Sequence, residues 1–387
     1  MSAPDLPACP EAPTFALDWT ELERAQPWLA SLRGTPQNPE YHAEGDVHLH
    51  TKLVCEALID LPAWRALAEP ERRIAFWAAL LHDAGKPACT RLVGGVPSSP
   101  GHSGRGERIA RALLYRAGAE PAHREQVAQL VRFHQLPYFA LERQRPERVV
   151  IGCSQVARCD LLALLAEADV RGRVCRDQAR LLDNVELFRE LCRETECYDA
   201  PYRFASDESR VQYFRSEDRD PTYAAYEDRH GIVTLLSGLP GSGKDHWLRQ
   251  HELSAASGTT EDEVRGHVIS LDELRRESGL APGRTSGQLL QAAKDRARSW
   301  LREHRSFVWN ATNVTRKLRR PLLDLFLDYG MRAHIVHCEV PYGALLEQNR
   351  NRRSPVPVEV VEDLIDRWQP ADATEAHAVV RVMGGQR

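Results

Sequence analysis

At 387 residues the chain is long enough for two domains. Hydrophobic residues make up 42% and charged residues 27%, the balance of an ordinary globular protein, and no apolar run approaches membrane-spanning length, which excludes a membrane partner. A net charge of −4 excludes a global basic field, so contact with nucleic acid would need a local basic groove.

Residues 1–14 are rich in proline and alanine and read as a loose terminus, and 19–32 as a short helix. Asp46 is placed to cap the next helix, in which His50, Leu53, Val54, Ala57 and Leu58 share one face. His42 and Glu44 precede it and are candidates for lining a pocket or for a loop role. A helix over 71–84 carries Ile74, Ala78 and Leu81 and ends at His82-Asp83, where Gly85 and Pro87 are stop signals. His102 stands before a helix whose apolar face includes Ile109 and Leu113. His134 follows Val127, Leu130 and Val131 at helical spacing, and Asp169 follows Leu162, Leu165 and Ala166 in the same way. A lone histidine on an apolar face is more often a satisfied core residue than a ligand. A buried aspartate, however, must be paired or hold a cation. Six imidazoles and carboxylates converging in one helical domain match the donor set of a transition-metal site, and a binuclear one needs about this many ligands. The nine cysteines are scattered without a C-x-x-C pair. With no signal peptide, they read as reduced thiols of a cytoplasmic protein, not as a disulfide framework or a zinc finger.

His50-Thr51, His82-Asp83-Ala-Gly-Lys86, His102, His134 and Asp169, in that order, resemble the HD phosphohydrolase superfamily. The resemblance implies an all-α domain with one or two divalent metals of the Mn, Co, Ni, Fe or Zn class. His50, His82, Asp83 and Asp169 would hold one metal, and His102 and His134, with Asp83 bridging, a second. Lys86 would contact the substrate phosphate or cap its helix.

Residues 170–196 continue the helical pattern and close a first domain spanning 1–196. The stretch 197–230 sets seven aromatic residues among charged ones. It is too aromatic for a flexible linker and reads as an ordered connector. The second domain, 231–387, opens with an apolar strand at 232–236. Then come Gly238-Leu-Pro-Gly241-Ser242-Gly243-Lys244-Asp245 and a helix start. Strand, glycine-rich turn and helix is the context of a phosphate-binding loop, in which backbone N–H groups and Lys244 face phosphate oxygens. Asp245 stands where Ser or Thr normally offers Mg²⁺ a hydroxyl. A strand at 267–270 ends just before Asp272, a candidate general base that could equally be a helix cap, and Arg275 lies one turn on. Residues 286–303 read as a long helix. A strand at 307–309 ends in Asn310-Ala-Thr312-Asn313, without the acidic residue that usually holds the metal's water; Thr312 and Asn313 are weak substitutes. Residues 317–329 read as helix and 334–340 and 376–382 as strands. The alternation predicts a parallel sheet with helices on both faces. Arg350, Arg352 and Arg353, near the start of a 346–368 segment, fit an arginine-bearing lid.

This half resembles the P-loop polynucleotide kinases, which phosphorylate 5′-OH ends. The resemblance implies ATP bound with Mg²⁺ through Gly238, Gly241, Ser242, Gly243, Lys244 and Asp245, with Asp272 as base. Arg275 would clamp a phosphate of the acceptor and Arg352 would be the lid arginine, with Arg350 adjacent. The domain order resembles the bacterial HD-Pnk end-healing enzymes. It implies a bifunctional RNA- or DNA-repair enzyme that works with a separate ligase. The HD domain would hydrolyse 2′,3′-cyclic phosphate or 2′-phosphate ends, and the kinase would phosphorylate 5′-OH ends. The motifs also permit an HD nucleotidase fused to a small-molecule kinase, or a nucleotide-operated switch on a helical binding module.

Overall fold

The computed structural model describes residues 5–254, 267–277, 286–352 and 354–384. The chain divides into two compact units, Met1–Tyr202 and Arg203–Arg387. The aromatic stretch 197–230 is thereby split between them.

The first unit is built on helices α1 (Trp19–Ala25), α2 (Val47–Asp60), α3 (Glu69–Leu81), α4 (His102–Arg116), α5 (Pro121–Phe133), α6 (Pro146–Ser154), α7 (Cys159–Arg171) and α8 (Gln178–Glu194). The helix expected over 19–32 is broken at Pro27, beyond which Pro27–Leu32 continues as a 3₁₀ turn. Asp46 caps α2, its carboxylate accepting a 2.9 Å hydrogen bond from the Leu49 N–H. The centre of the unit is α3, whose residues from Ile74 to Leu81 are all buried. A helix apolar on every side needs neighbours on every side, and α2, α5 and α7 supply them. Because α2 packs on both α3 and α7, its buried stripe is wider than one apolar row. Thr51, Cys55 and Ile59 are buried beside His50, Val54 and Leu58, while Leu53 and Ala57 are only half-buried. In α4 the buried face likewise runs through Ala110 and Leu114, leaving Ile109 and Leu113 at its margin. One small exception interrupts the all-helical pattern. Strands β1 (Arg91–Val93) and β2 (Val96–Ser98) form an antiparallel hairpin turned by Gly94-Gly95.

The second unit carries a five-stranded, all-parallel sheet ordered β4-β5-β3-β6-β7. Its strands are β3 (Ile232–Ser237), β4 (Val268–Ser270), β5 (Phe307–Asn310), β6 (Arg332–Glu339) and β7 (Ala378–Met383). Its helices are α9 (Asp207–Arg215), α10 (Lys244–Ser254), α11 (Leu271–Glu277), α12 (Ser286–Arg302), α13 (Arg316–Asp328), α14 (Tyr342–Arg350) and α15 (Val358–Arg367). Successive strand residues point to opposite faces. Val233, Leu235, Phe307, Trp309, Ala333 and Ile335 pack under α12 and α13. Leu236, Val308, Val336 and Cys338 meet Trp247 and Leu248 of α10 on the other face. Strand order reverses at β3, so the crevice for a ligand lies outside the carboxyl ends of β3, β4 and β5.

Arg319 of α13 ties this edge together. Its guanidinium donates to the Asn313 carbonyl at 3.0 Å and the Gln369 carbonyl at 2.7 Å, and pairs with Glu375 at 2.7 Å. Both side chains are buried. Arg319→Ala strands Glu375 as a buried charge, a loss of about 3–5 kcal/mol. Denaturant unfolding of the variant should show a destabilisation of that order. A shift under 1 kcal/mol, about the worth of a surface pair, would show that water reaches the pair.

Candidate functional site

In the helical unit, four histidines and two aspartates come together from separate elements. His50 projects from α2, His82 and Asp83 from the end of α3, His102 from the start of α4, His134 from the end of α5 and Asp169 from α7. All six are buried. Gly85 permits this closeness. A Cβ there would lie 2.1 Å from the His102 carbonyl oxygen, so only glycine lets α4 pack against the His82-Asp83 turn.

Each imidazole turns Nδ1 outward to an acceptor. His82 meets the Ala79 carbonyl at 2.7 Å, His102 the Ser99 carbonyl and His134 the Val131 carbonyl, both at 2.8 Å. His50 Nδ1 faces the Glu44 carboxylate at 2.8 Å. The carbonyl partners place the proton of His82, His102 and His134 on Nδ1 and leave an Nε2 lone pair pointing inward, whereas His50 Nδ1 lies close to Glu44 without an aligned hydrogen bond. The Nε2 atoms of His50 and His82 lie 3.3 Å apart, and those of His102 and His134 3.4 Å apart. Facing lone pairs repel unless a cation sits between or beside them. Asp83 serves both pairs. Oδ2 lies 3.2 Å from His82 Nε2 and 3.8 Å from His50 Nε2, and Oδ1 lies 3.5 Å from His102 Nε2 and 3.9 Å from His134 Nε2. His50, His82 and Asp83 form one group with metal-ligand spacing, and Asp83, His102 and His134 another. Asp169 Oδ1 joins the first at 3.1 Å from His50 Nε2. Both Asp83 oxygens are buried without a hydrogen-bond partner, although Lys86 Nζ forms a 2.7 Å ion pair with Oδ2. This donor set fits two divalent ions sharing one carboxylate.

The protonation states of His134, His102 and Asp83 agree with ligation, whereas His82 must give up a proton to ligate. Burial pushes His134 down to about 3 and lowers His102, so both are neutral donors at ordinary pH. Burial opposes the charge on Asp83, yet Lys86 and His82 hold it well below the usual carboxylate range. Burial also opposes the charge on His82, but Asp83 and Asp169 raise its pKa.

Three groups that sequence reasoning missed complete this pocket. Arg173 grips Asp169 with two bonds of 2.9 and 2.5 Å, and the Tyr138 hydroxyl donates to the same carboxylate at 2.7 Å. Gln37 accepts a 2.7 Å hydrogen bond from Lys86. The i, i+4 spacing of Asp169 and Arg173 was the one available signal. Glu44, a candidate for lining the pocket or for a loop role, faces His50 Nδ1 and accepts from His42 at 2.8 Å. Burial takes His42 itself down to about 4.

In the second unit the loop Gly238–Gly243 joins β3 to α10. Gly238 has φ 154°, and a Cβ there would meet Ser242 Oγ at 2.4 Å and the Cys338 carbonyl at 2.5 Å. Ser242 Oγ is buried without a partner. Gly241 and Gly243 also have positive φ. Lys244 Nζ donates to the Gly238 and Leu239 carbonyls at 2.8 and 3.0 Å. The two departures from the usual phosphate-loop pattern meet each other: Asn310 Nδ2, at the end of β5, donates to Asp245 Oδ1 at 2.9 Å. The acid usually found at that strand end is thus replaced by one on the loop's helix, held from the opposite side. Asn313 donates to the Leu236 carbonyl at 2.8 Å, which fixes its amide beside β3.

Asp272 lies in the first turn of α11 and is exposed. It does not cap that helix; Ser270 Oγ accepts from the Glu273 N–H at 3.3 Å. Instead Asp272 pairs with Arg275 at 2.8 Å and with Arg352, across the crevice, at 3.7 Å. The lid segment consists of α14, α15 and the turn between them. Asn349 pins that turn through both polar atoms of its amide to Val356, at 2.7 and 3.1 Å. Arg350 ends α14 exposed, and Arg353 lies outside the described residues.

Residues 49–167 match the HD domain family, and residues 233–371 match a family described as an AAA domain. The chain is an HD domain followed by a P-loop kinase-like domain. The first is a metal-dependent phosphohydrolase type, and the second implies a nucleotide with Mg²⁺. A multifunctional CCA protein of Laribacter hongkongensis strain HLHK9 is 32% identical over 43% of this chain and 38% of its own length. The protein of the same name from Xylella fastidiosa strain M23 is 35% identical over 44% of this chain and 39% of its own length. The chain thus spans well under half the length of these curated relatives. A gluconokinase structure from Sinorhizobium meliloti 1021 shares 16% identity, covering 41% of this chain and 86% of that one, with a TM-score of 0.29, too low to carry an argument. Among the described residues, no single helix is long and apolar enough to cross a membrane.

Burial lowers Lys244 to about 8, so the ammonium is charged below that pH and lost above it. Phosphates favour the charged form. ATP binding is therefore expected to take up a proton above pH 8, with affinity falling as pH rises through that value. Calorimetry in two buffers of different ionisation enthalpy measures this uptake; none at pH 9 would show a lysine already charged. Removing the Asn310 amide frees the Asp245 carboxylate. Asn310→Ala should weaken Mg²⁺-dependent activity about 10- to 100-fold. Titrating ATP turnover with Mg²⁺ checks this, and an unchanged midpoint would place the ion elsewhere.

Proposed function

We propose that the protein heals broken nucleic-acid ends: its HD domain removes 2′,3′-cyclic phosphate or 2′-phosphate and its P-loop domain phosphorylates 5′-OH ends. The observation that carries this reading is the Asp272–Arg275–Arg352 cluster outside the carboxyl end of β4. A proton acceptor held between two guanidinium groups suits an acceptor alcohol that already carries phosphate, as a polynucleotide end does. A separate ligase would then join the healed ends, and the reading places the protein in the cytoplasm.

In the HD domain, His50, His82, Asp83 and Asp169 would hold one divalent ion, and Asp83, His102 and His134 a second. Such ions lower the pKa of bound water and polarise a phosphoryl oxygen. The backbone carbonyls keep His82, His102 and His134 in the ligating tautomer. Lys86 exchanges its contact with Gln37 for the substrate phosphate.

In the kinase, the loop N–H groups of Gly238–Gly243 face the ATP phosphates, and Lys244 leaves the Gly238 and Leu239 carbonyls for their outer oxygens. Asp272 takes the proton of the attacking 5′-OH as its oxygen bonds to the γ-phosphorus and the bond to ADP breaks. Arg275 holds the neighbouring phosphate of the acceptor, and Arg352 spreads the charge of the transferring group. Asp245, steadied by Asn310, is the carboxylate available to Mg²⁺ or its water.

One RNA oligonucleotide bearing a 5′-OH and a 2′,3′-cyclic phosphate tests both activities, with ATP, a panel of divalent metals and mass spectrometry of both ends. The wild type should phosphorylate one end and open or clear the other. Lys244→Ala should lose only the first activity and Asp83→Ala only the second. Asp272→Ala should bind ATP normally while transfer falls about 100- to 10,000-fold. Turnover of ATP and mononucleotides with both RNA ends unchanged would replace this reading with a small-molecule enzyme.

A further inference from the structure

The cysteine spacing predicts no metal centre, yet folding gathers four thiols at one place in the helical unit. Cys153 lies in the last turn of α6, Cys159 opens α7, Cys192 lies near the end of α8 and Cys197 follows it. The sulfurs of Cys159, Cys192 and Cys197 lie within 4.8 Å of one another. Cys153, six residues before Cys159, is the remaining buried thiol beside this trio. All four are free and buried. We propose that Cys153, Cys159, Cys192 and Cys197 form a structural zinc site.

The geometry favours a single ion. Zinc bound tetrahedrally to thiolates at about 2.3 Å sets neighbouring sulfurs about 3.8 Å apart, so small side-chain movements close these thiols on one ion. An iron–sulfur cluster sets its inorganic core between the thiolates, and sulfurs on different irons then lie farther apart. A disulfide joins only two sulfurs, whereas here three lie mutually within 4.8 Å. Binding releases the thiol protons to solvent and leaves four thiolates on the ion.

The local backbone serves the same end. Cys159 is the first residue of α7, where the helix field favours a thiolate. At the end of α8 the Cys197 N–H donates to the Cys192 carbonyl at 2.8 Å and the Glu196 N–H to the Arg193 carbonyl at 3.0 Å. This is a Schellman turn, and it folds Cys197 back beside Cys192. Its left-handed position, usually glycine, is held by Glu196 at φ 54°. The site would join α6, α7 and α8. It is separate from the histidine pocket: Asp169 lies ten residues beyond Cys159, about 15 Å along α7.

The test uses the full-length chain carrying Asp83→Ala, so that the histidine pocket contributes little metal. Elemental analysis after expression in zinc-supplemented medium should find one zinc per chain. X-ray absorption should show four sulfur neighbours at about 2.3 Å. Titrating the thiols with a mercurial should release that zinc. Cys192→Ser in the same background should lose it and melt at lower temperature, whereas Cys89→Ser, outside the cluster, should keep it. No zinc as purified and no uptake on addition, nitrogen or oxygen ligation, iron in its place, or a native disulfide among the four would each overturn the proposal. Should Cys192→Ser fail to fold, the absorption spectrum of the Asp83→Ala protein decides alone.

Discussion

Two carboxylates buried in a helical core cost free energy unless cations compensate them. The packing of the first unit answers that constraint. Asp83 meets Lys86, and Asp169 meets Arg173 and the Tyr138 hydroxyl. Glu44, also nearly buried, faces His42 and His50. Asp83 and Asp169 keep some lone pairs turned toward the Nε2 atoms of the imidazoles. Three of the four rings are held at Nδ1 by a backbone carbonyl, and such preorganisation lets a site bind ions without first ordering its ligands.

The second unit solves a different problem. A phosphate loop must present backbone N–H groups at a strand end while keeping a metal-facing oxygen at a fixed place. Here the carboxylate sits on α10 and the amide on β5. Because β5 lies next to β3, one hydrogen bond spans the gap whichever side carries the acid. Arg319 supports the same edge from behind by holding the Asn313 carbonyl. Charge at the crevice is thus distributed over loop, strand end and lid, where Asp272 meets Arg352 and Asn349 bonds to Val356.

The cysteine cluster is a second place where separate helix ends meet. Its members come from the end of α6, the start of α7 and the end of α8. Helix ends expose unpaired backbone groups and reverse the chain, so they are natural points for a cross-link. Such a link would hold α7 at one end while Asp169 works near the other.

Patterns local in the chain were legible from the residues alone. Helical spacing put His50, His134 and Asp169 on apolar faces, and His82-Asp83 before Gly85 marked a helix end. Strand, glycine turn and helix gave the phosphate loop, and alternating elements gave the parallel sheet. These depend on periodicity and turn chemistry, which act over a few residues. The chain order alone could not decide which distant groups meet. Tyr138 on Asp169, Asn310 on Asp245, Arg352 on Asp272 and Cys159 on Cys192 and Cys197 are pairings across long separations. They are set by how helices and strands pack, and a spacing rule blind to packing reads the same cysteines as scattered.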